Sequence, residues 1–255
     1  MELFDKLHAY YDRHGIGALH CTGCGTGALH SHFNCKHHDD CSRGHVETFS
    51  TAKEAYVGPQ FGMDGLPRLV FLSLDSGDGG KGPEERTLEH VQQHEDTVPV
   101  DKLPKRRHWR ETRELALCLL RPLKPDLDMH IVHRYFAHTN SAKCCLNRPG
   151  RGQASQRLFD NCRAYIPGEL EILAPAILVT QGRWAHVAVA LGFEGKITEE
   201  RRAPSGAGSH RLVTLSGPNS TIWFKSYHPH SIRAYWKQKP RDWPVWSEVI
   251  CERFG

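Results

Sequence analysis

Short apolar segments rich in β-branched and aromatic residues, set between stretches of helical spacing, constrain this chain more than any other feature. Pro67 to Leu74 reads as a buried-type strand that runs directly into the polar turn Asp75-Ser76-Gly77-Asp78-Gly79-Gly80. Met129 to Phe136 reads as the core of a strand over about 129–138, ended by a polar loop that starts at Thr139. Ala176 to Gln181 gives another strand, and two more fall at about 211–215 and 221–227. Helical patterns occupy Trp109 to Leu120, Gln153 to Leu173 and Trp184 to Leu191, and a last helix follows Ser231. Strands that alternate with helices predict an α/β chain, a three-layer α/β/α sandwich around a mainly parallel central sheet.

The first third has a different composition. Residues 1–19 read as a short amphipathic helix with Leu3, Phe4, Leu7 and Tyr10 or Tyr11 on one face. Residues 20–45 are rich in Cys, His and Gly and poor in apolar side chains, so a bound metal is what would order them. The expected division is therefore 1–66, a helix and metal-binding segment packed on the main domain, and 67–255, the α/β/α domain itself. Residues 81–107 are expected to cross the surface as a long loop or short helix, and 195–210 to form an exposed loop.

The chain has 255 residues, 39% apolar and 24% charged, values of a soluble globular protein. No stretch approaches the roughly 18 apolar residues of a membrane span, and the first residues lack the pattern of a signal peptide. These features predict a cytoplasmic protein with no membrane partner and no evident obligate protein partner. Nine cysteines form an odd set, which in a reducing compartment argues for metal ligation over disulfides. Cys118 and Cys251 sit on helical patterns and read as buried structural thiols. A net charge of +4 says little about nucleic acid. The local basic runs Lys102 to His108, Arg148 to Arg151 and Arg233 to Arg241 say more, since each can contact phosphates or simply form a solvated face.

Three polar segments follow predicted strands: Asp75 to Gly77, Thr139-Asn140, and Tyr227-His228-Pro229-His230-Ser231. The C-terminal ends of parallel strands share one edge, where open α/β sheets bind ligands. An acid, an amide and an imidazole at one crevice suit cleavage of a bond at a polar planar group.

These segments carry a resemblance. Thr139-Asn140-Ser141-Ala142-Lys143-Cys144, then Cys162-Arg163-Ala164-Tyr165 with Glu169 to Leu173, Ile177-Leu178-Val179 and Gly182, and finally His228-Pro229-His230-Ser231 resemble the iron–sulfur branch of the uracil-DNA glycosylase superfamily. The resemblance covers roughly 67–240 in a shared order. It implies an enzyme that flips a nucleotide out of DNA, hydrolyses its N-glycosidic bond and leaves an abasic site. Asp75 aligns with the family's acid, which stabilises the cationic sugar and orients water. His228 would donate a hydrogen bond to the departing base, and Asn140 would read the base edge. Trp109 stands where the family places an aromatic stacker, with a core position at a helix start as the alternative. Ile232 stands where the family inserts an apolar wedge, or else is a helix-packing residue. His230, Arg233 and Lys143 are expected to meet the DNA.

The first motif diverges, with Ser76 in place of the usual Pro and Leu74 where Gln, Glu or Met is common. Gly77, the expected contact to the base, and Gly79 and Gly80 put no side chain against the 5-position of a pyrimidine. The expected target is uracil or a C5-modified pyrimidine, including hypermodified bases of the kind found in some phage DNA. The setting is then base-excision DNA repair or antiviral defence.

The resemblance also implies a 4Fe–4S cluster, with Cys144 and Cys162 as two ligands and Cys145 as a rival to Cys144. The other two come from Cys21, Cys24, Cys35 and Cys41. The alternative is a zinc site on those four, with His30, His32, His37 and His38 as further donors. A catalytically silent nucleic-acid-binding protein of the same fold is the alternative to the enzyme.

Overall fold

The computed structural model describes residues 2–17, 35–43, 49–75, 82–99, 102, 107–146, 155–201, 210–215 and 220–255. Helix α1 (Leu3–His14) starts at a Glu2/Asp5 capping box and stops at Gly15, whose φ of 61° is a left-handed cap. Its Leu7 and Tyr11 turn inward, and Tyr10 donates to the Tyr165 carbonyl at 2.7 Å. After α2 (His38–Ser42) come two short strands, β1 (Phe49–Ser50) and β2 (Tyr56–Val57), then β3 (Leu69–Asp75). Helices α3 (Leu88–Thr97) and α4 (Arg107–Leu120) precede β4 (Phe136–Ala142) and β5 (Cys145–Leu146). The chain continues through α5 (Gln156–Cys162), α6 (Ile166–Leu173), β6 (Ile177–Gln181) and α7 (Arg183–Gly192). It ends with β7 (Ile197–Arg201), β8 (His210–Val213), β9 (Thr221–Ser226) and α8 (Ile232–Phe254).

Seven strands form one sheet in the order β2-β4-β3-β6-β9-β8-β7, while β1 and β5 pair separately. The centre, β4-β3-β6-β9, is parallel; the margins β2, β8 and β7 are antiparallel. Alternation along the central strands sends side chains to two cores. Val70, Leu72, Leu178 and Trp223 face α1, α5, α6 and α7. Leu69, Phe71, Ile177, Val179, Ile222 and Phe224 face α4 and α8. Strands buried on both sides must be apolar throughout, which is why β3 and β6 stand out in the sequence. The architecture is the expected α/β/α sandwich.

Several boundaries differ from the sequence reading. The strand expected over 129–138 begins at Phe136 and runs on to Ala142, so Thr139 and Asn140 lie within it. Asp128 Oδ1 accepts the backbone N–H groups of His130 and Ile131 at 2.8 and 3.1 Å. That turn leads into a 3₁₀ segment, Val132–Tyr135, which uses up the apolar run. The helix expected over 153–173 is two helices, because the chain re-nucleates at Ile166-Pro167, with proline in the first turn of α6. The exposed loop expected at 195–210 contains β7, paired to β8. The 1–66 segment adds β2 to the main sheet through pairing with β4. Among the described residues no helix is long and apolar enough to cross a membrane.

Candidate active site

The parallel strands β3, β4, β6 and β9 bring their C-terminal ends to one edge. Register pairs Ser73 with Asn140 and Asp75 with Ala142. Asn140 Nδ2 donates to the Asp75 carbonyl at 2.9 Å. Ser141 Oγ contacts the carbonyls of Ser73 and Leu74 at 2.8 and 3.0 Å. Side chains of β4 therefore hold the end of β3, which fixes the backbone that carries Asp75.

Gly182 closes the other side. Its φ of 99° is a conformation that side chains rarely adopt, and a Cβ there would lie 2.9 Å from Leu74 Cδ2 and 3.2 Å from His228 Cβ. Glycine lets the residue before Asp75 and the loop bearing His228 approach each other.

His228 follows β9. The His230 backbone N–H donates to His228 Nδ1 at 3.3 Å, which leaves the ring proton on Nε2. The ring stacks on His108 with centroids 4.8 Å apart and planes 18° apart. Burial, then the neighbouring His108 and His230, push its pKa down to about 2. The imidazole is neutral at pH 7 and can donate a hydrogen bond without carrying a charge.

Sequence reasoning missed the polar floor beneath these residues. Ser73 Oγ donates to Gln181 Oε1 at 2.6 Å and lies 2.8 Å from His138 Nε2 and 3.1 Å from His108 Nε2. One hydroxyl has one proton, so with that proton on Gln181 both imidazoles donate to Ser73. Burial holds His138 down to about 3 and His108 well below its ordinary value. Their signal in the sequence was a polar residue at strand positions 73, 138 and 181 where an apolar one would fit.

Two expected site residues serve the fold. Trp109 is buried and packs edge-on against Tyr56, Phe136 and His138. It belongs to the core on the α4 and α8 side of the sheet, and the turn of α4 presents His108 to the site in its place. Lys143 is no DNA contact: it is 1% exposed and forms an ion pair with Glu169. It also donates to Thr139 at 2.5 Å. Glu169 in turn accepts from Thr139 at 2.9 Å and Tyr11 at 2.5 Å. A buried charge needs such partners. Ile232 is 60% exposed at the start of α8, with exposed His230 and Arg233 beside it. Gly77, like Ser76, Gly79 and Gly80, lies outside the described residues.

Four thiols gather on the opposite face of the sheet from Trp109. Cys35, Cys41, Cys144 and Cys162 belong to one packed cluster. Burial raises the Cys144 pKa, and Cys162, Cys35 and Cys41 raise it further. Cys162 is pushed up to about 11 by burial, with Cys41 and Cys35 adding to the rise. Two N–H groups point at sulfur: Asn161 Nδ2 to Cys41 at 3.2 Å and the Lys143 amide to Cys162 at 3.4 Å. As placed, no three such groups among the described residues stand close enough to hold a single ion. Cys145 is buried next to them, and Cys21, Cys24, His30 and His32 lie outside the described residues.

No curated protein matches the chain. The family model of the uracil DNA glycosylase superfamily matches residues 107–249, which include Asn140 and His228; Asp75 precedes the matched region. With a glycosylase-like sheet edge and a match over more than half of its length, the chain belongs to the uracil DNA glycosylase superfamily, a family that acts on DNA and cleaves N-glycosyl bonds.

Proposed function

We propose that the protein is a monofunctional DNA glycosylase that draws a pyrimidine nucleotide out of the DNA, hydrolyses its N-glycosidic bond and leaves an abasic site. A base inside a duplex is out of reach of Asp75 and His228, so extrusion comes first. The bond from C1′ to the base breaks with its electron pair going to the base, and the sugar gains cationic character. The Asp75 carboxylate stabilises that charge and orients the water whose oxygen joins C1′, and the proton this water loses neutralises the departed base anion. His228, neutral and protonated on Nε2, donates to the base oxygen on which negative charge gathers. Asn140 reads the base edge. The observation that carries this reading is the tautomer of His228, a neutral donor held by the His230 amide beside Gly182 and Leu74 at the sheet edge.

The target is uracil or a pyrimidine modified at C5. A panel of oligonucleotides with uracil and C5-modified cytosines, followed by alkaline cleavage, tests both parts. Strand breaks are expected for at least one base. Cleavage of uracil alone overturns a target modified at C5; DNA binding without abasic sites on any base makes the protein a silent binder.

The proposal includes a 4Fe–4S cluster on Cys35, Cys41, Cys144 and Cys162. Thiolate is the ligand of such clusters, and four thiols in mutual electrostatic range with N–H donors on two of them suit that donor set. The cluster would tie α2 and the end of α5 to the end of β4, a structural role. Iron and labile-sulfide analysis with a visible spectrum checks it; stoichiometric zinc in their place overturns it.

A further inference from the structure

We propose that Arg107 and Trp236 form a second nucleotide subsite beside the base pocket, in which Arg107 holds a phosphate and Trp236 stacks an unpaired base of the bound strand. The inference rests on the reading of the protein as a DNA glycosylase.

Five large apolar side chains are exposed among the described residues, and three of them, Tyr227, Ile232 and Trp236, sit around the start of α8. Ile232 and Trp236 are four residues apart, so they share one helix face. That face is not the one the core uses: Tyr235, Trp243, Trp246 and Ile250 are the buried residues of α8. Trp236 is 43% exposed, more than packing of the fold requires of so large a ring.

Two cations lie over Trp236, Lys239 at 5.0 Å and Arg107 at 5.7 Å from the ring centroid. They differ in what else they meet. Lys239 is neutralised by ion pairs with Glu111, at 2.9 Å, and Glu114. Arg107 has no carboxylate partner among the described residues, and its buried Nε has no hydrogen-bond partner. A guanidinium without a carboxylate partner among the described residues, next to an exposed indole and the exposed Arg233 and Lys237, matches a phosphodiester in charge and geometry. The surface is continuous with His230 and Ile232, the expected DNA contacts. Arg107 also stands close enough to His230 to contribute to the lowering of its pKa, after burial.

The occupant is a single-stranded stretch next to the extruded nucleotide. A paired base keeps both faces within the duplex stack, whereas an unpaired one can stack on Trp236, a contact that tolerates any base.

A labelled oligonucleotide with a tetrahydrofuran abasic analogue tests the subsite without knowledge of the target base. Single-stranded and duplex forms are titrated by fluorescence anisotropy at several salt concentrations. For the single strand, Trp236→Ala is expected to weaken binding about tenfold with an unchanged salt slope, and Trp236→Phe to stay within about threefold of wild type. Arg107→Gln is expected to weaken binding and lower the magnitude of the salt slope by about 0.7. Single-strand binding by Trp236→Ala equal to that of wild type, with an unchanged thermal midpoint, overturns the subsite alone. A wild-type protein that binds neither form overturns the glycosylase reading and the subsite with it.

Discussion

In the proposed reaction Asp75 and His228 act on opposite ends of one breaking bond, so their removal is expected to affect turnover and spare binding. Loss of a positioned donor to a developing anion typically costs 10²–10³ in rate. His228→Ala is therefore expected to slow base release by about that factor, measured by single-turnover cleavage, while affinity for an abasic oligonucleotide stays within about threefold. Gly182→Ala adds one methyl group, yet that carbon would meet Leu74 at 2.9 Å and His228 at 3.2 Å in a backbone with φ 99°. It is expected to slow base release at least tenfold through displaced site residues, with folding shown by an intact circular dichroism spectrum. The convergence of Asp75, Asn140 and His228 on one sheet edge was legible in the sequence because Asp75 and His228 are polar residues at or just after a strand's end, although Asn140 lies within β4. Trp109 was left between a base stacker and a core residue, since one aromatic at a helix start reads the same whether it faces the core or the solvent. Only the register of α4 against Phe136 and Tyr56 decides it.

The elements that carry the site are held by a buried polar network as much as by apolar packing. Tyr11 of α1, Thr139 of β4, the following Lys143 and Glu169 of α6 form one connected set. Breaking a buried ion pair by removing one partner costs about 3–5 kcal/mol, because the other charge is stranded. Lys143→Ala should lower stability by about that amount in urea unfolding, and Glu169→Gln should do so as well. A lysine that served only DNA would leave the unfolding midpoint unchanged. The sequence hid this role: Lys143 sits in a polar stretch and reads as surface. Its partner lies 26 positions away on another element. β3 and β6 were legible because strands buried on both sides are apolar without alternation. β4 was misplaced because Asp128 turns the chain and diverts the apolar run 129–135 into a 3₁₀ segment, and the true strand carries His138, Thr139 and Asn140.

At the scale of the whole molecule, five histidines that desolvation keeps neutral couple stability to pH. Burial holds His133 and His138 down to about 3, His186 to about 4 and His228 to about 2, with His108 also well below its ordinary value. The unfolded chain protonates these rings near pH 6.5. Below that pH unfolding takes up protons that the folded state refuses, so stability is full above about 6.5 and declines as pH falls. Each proton taken up contributes about 1.4 kcal/mol per pH unit. The urea midpoint is expected to be flat from pH 7 to 8 and to drop between pH 6.5 and 4. An unchanged midpoint over that range would contradict neutral burial of the histidines. The α/β/α architecture was readable from the alternation of strands and helices. The resemblance named Cys35 and Cys41 among four candidates to join Cys144 and Cys162; their packing together was not readable from spacing, because α2 and α5 are brought together only by the fold. In the proposed reaction water attacks the sugar while the base departs whole. Reaction in ¹⁸O-water, with mass spectrometry of both products, separates this from other chemistry. A free intact base without label and an abasic deoxyribose that carries ¹⁸O at C1′ are expected. A deaminated or otherwise altered base that carries the label, or label at a phosphate after strand scission, would contradict it.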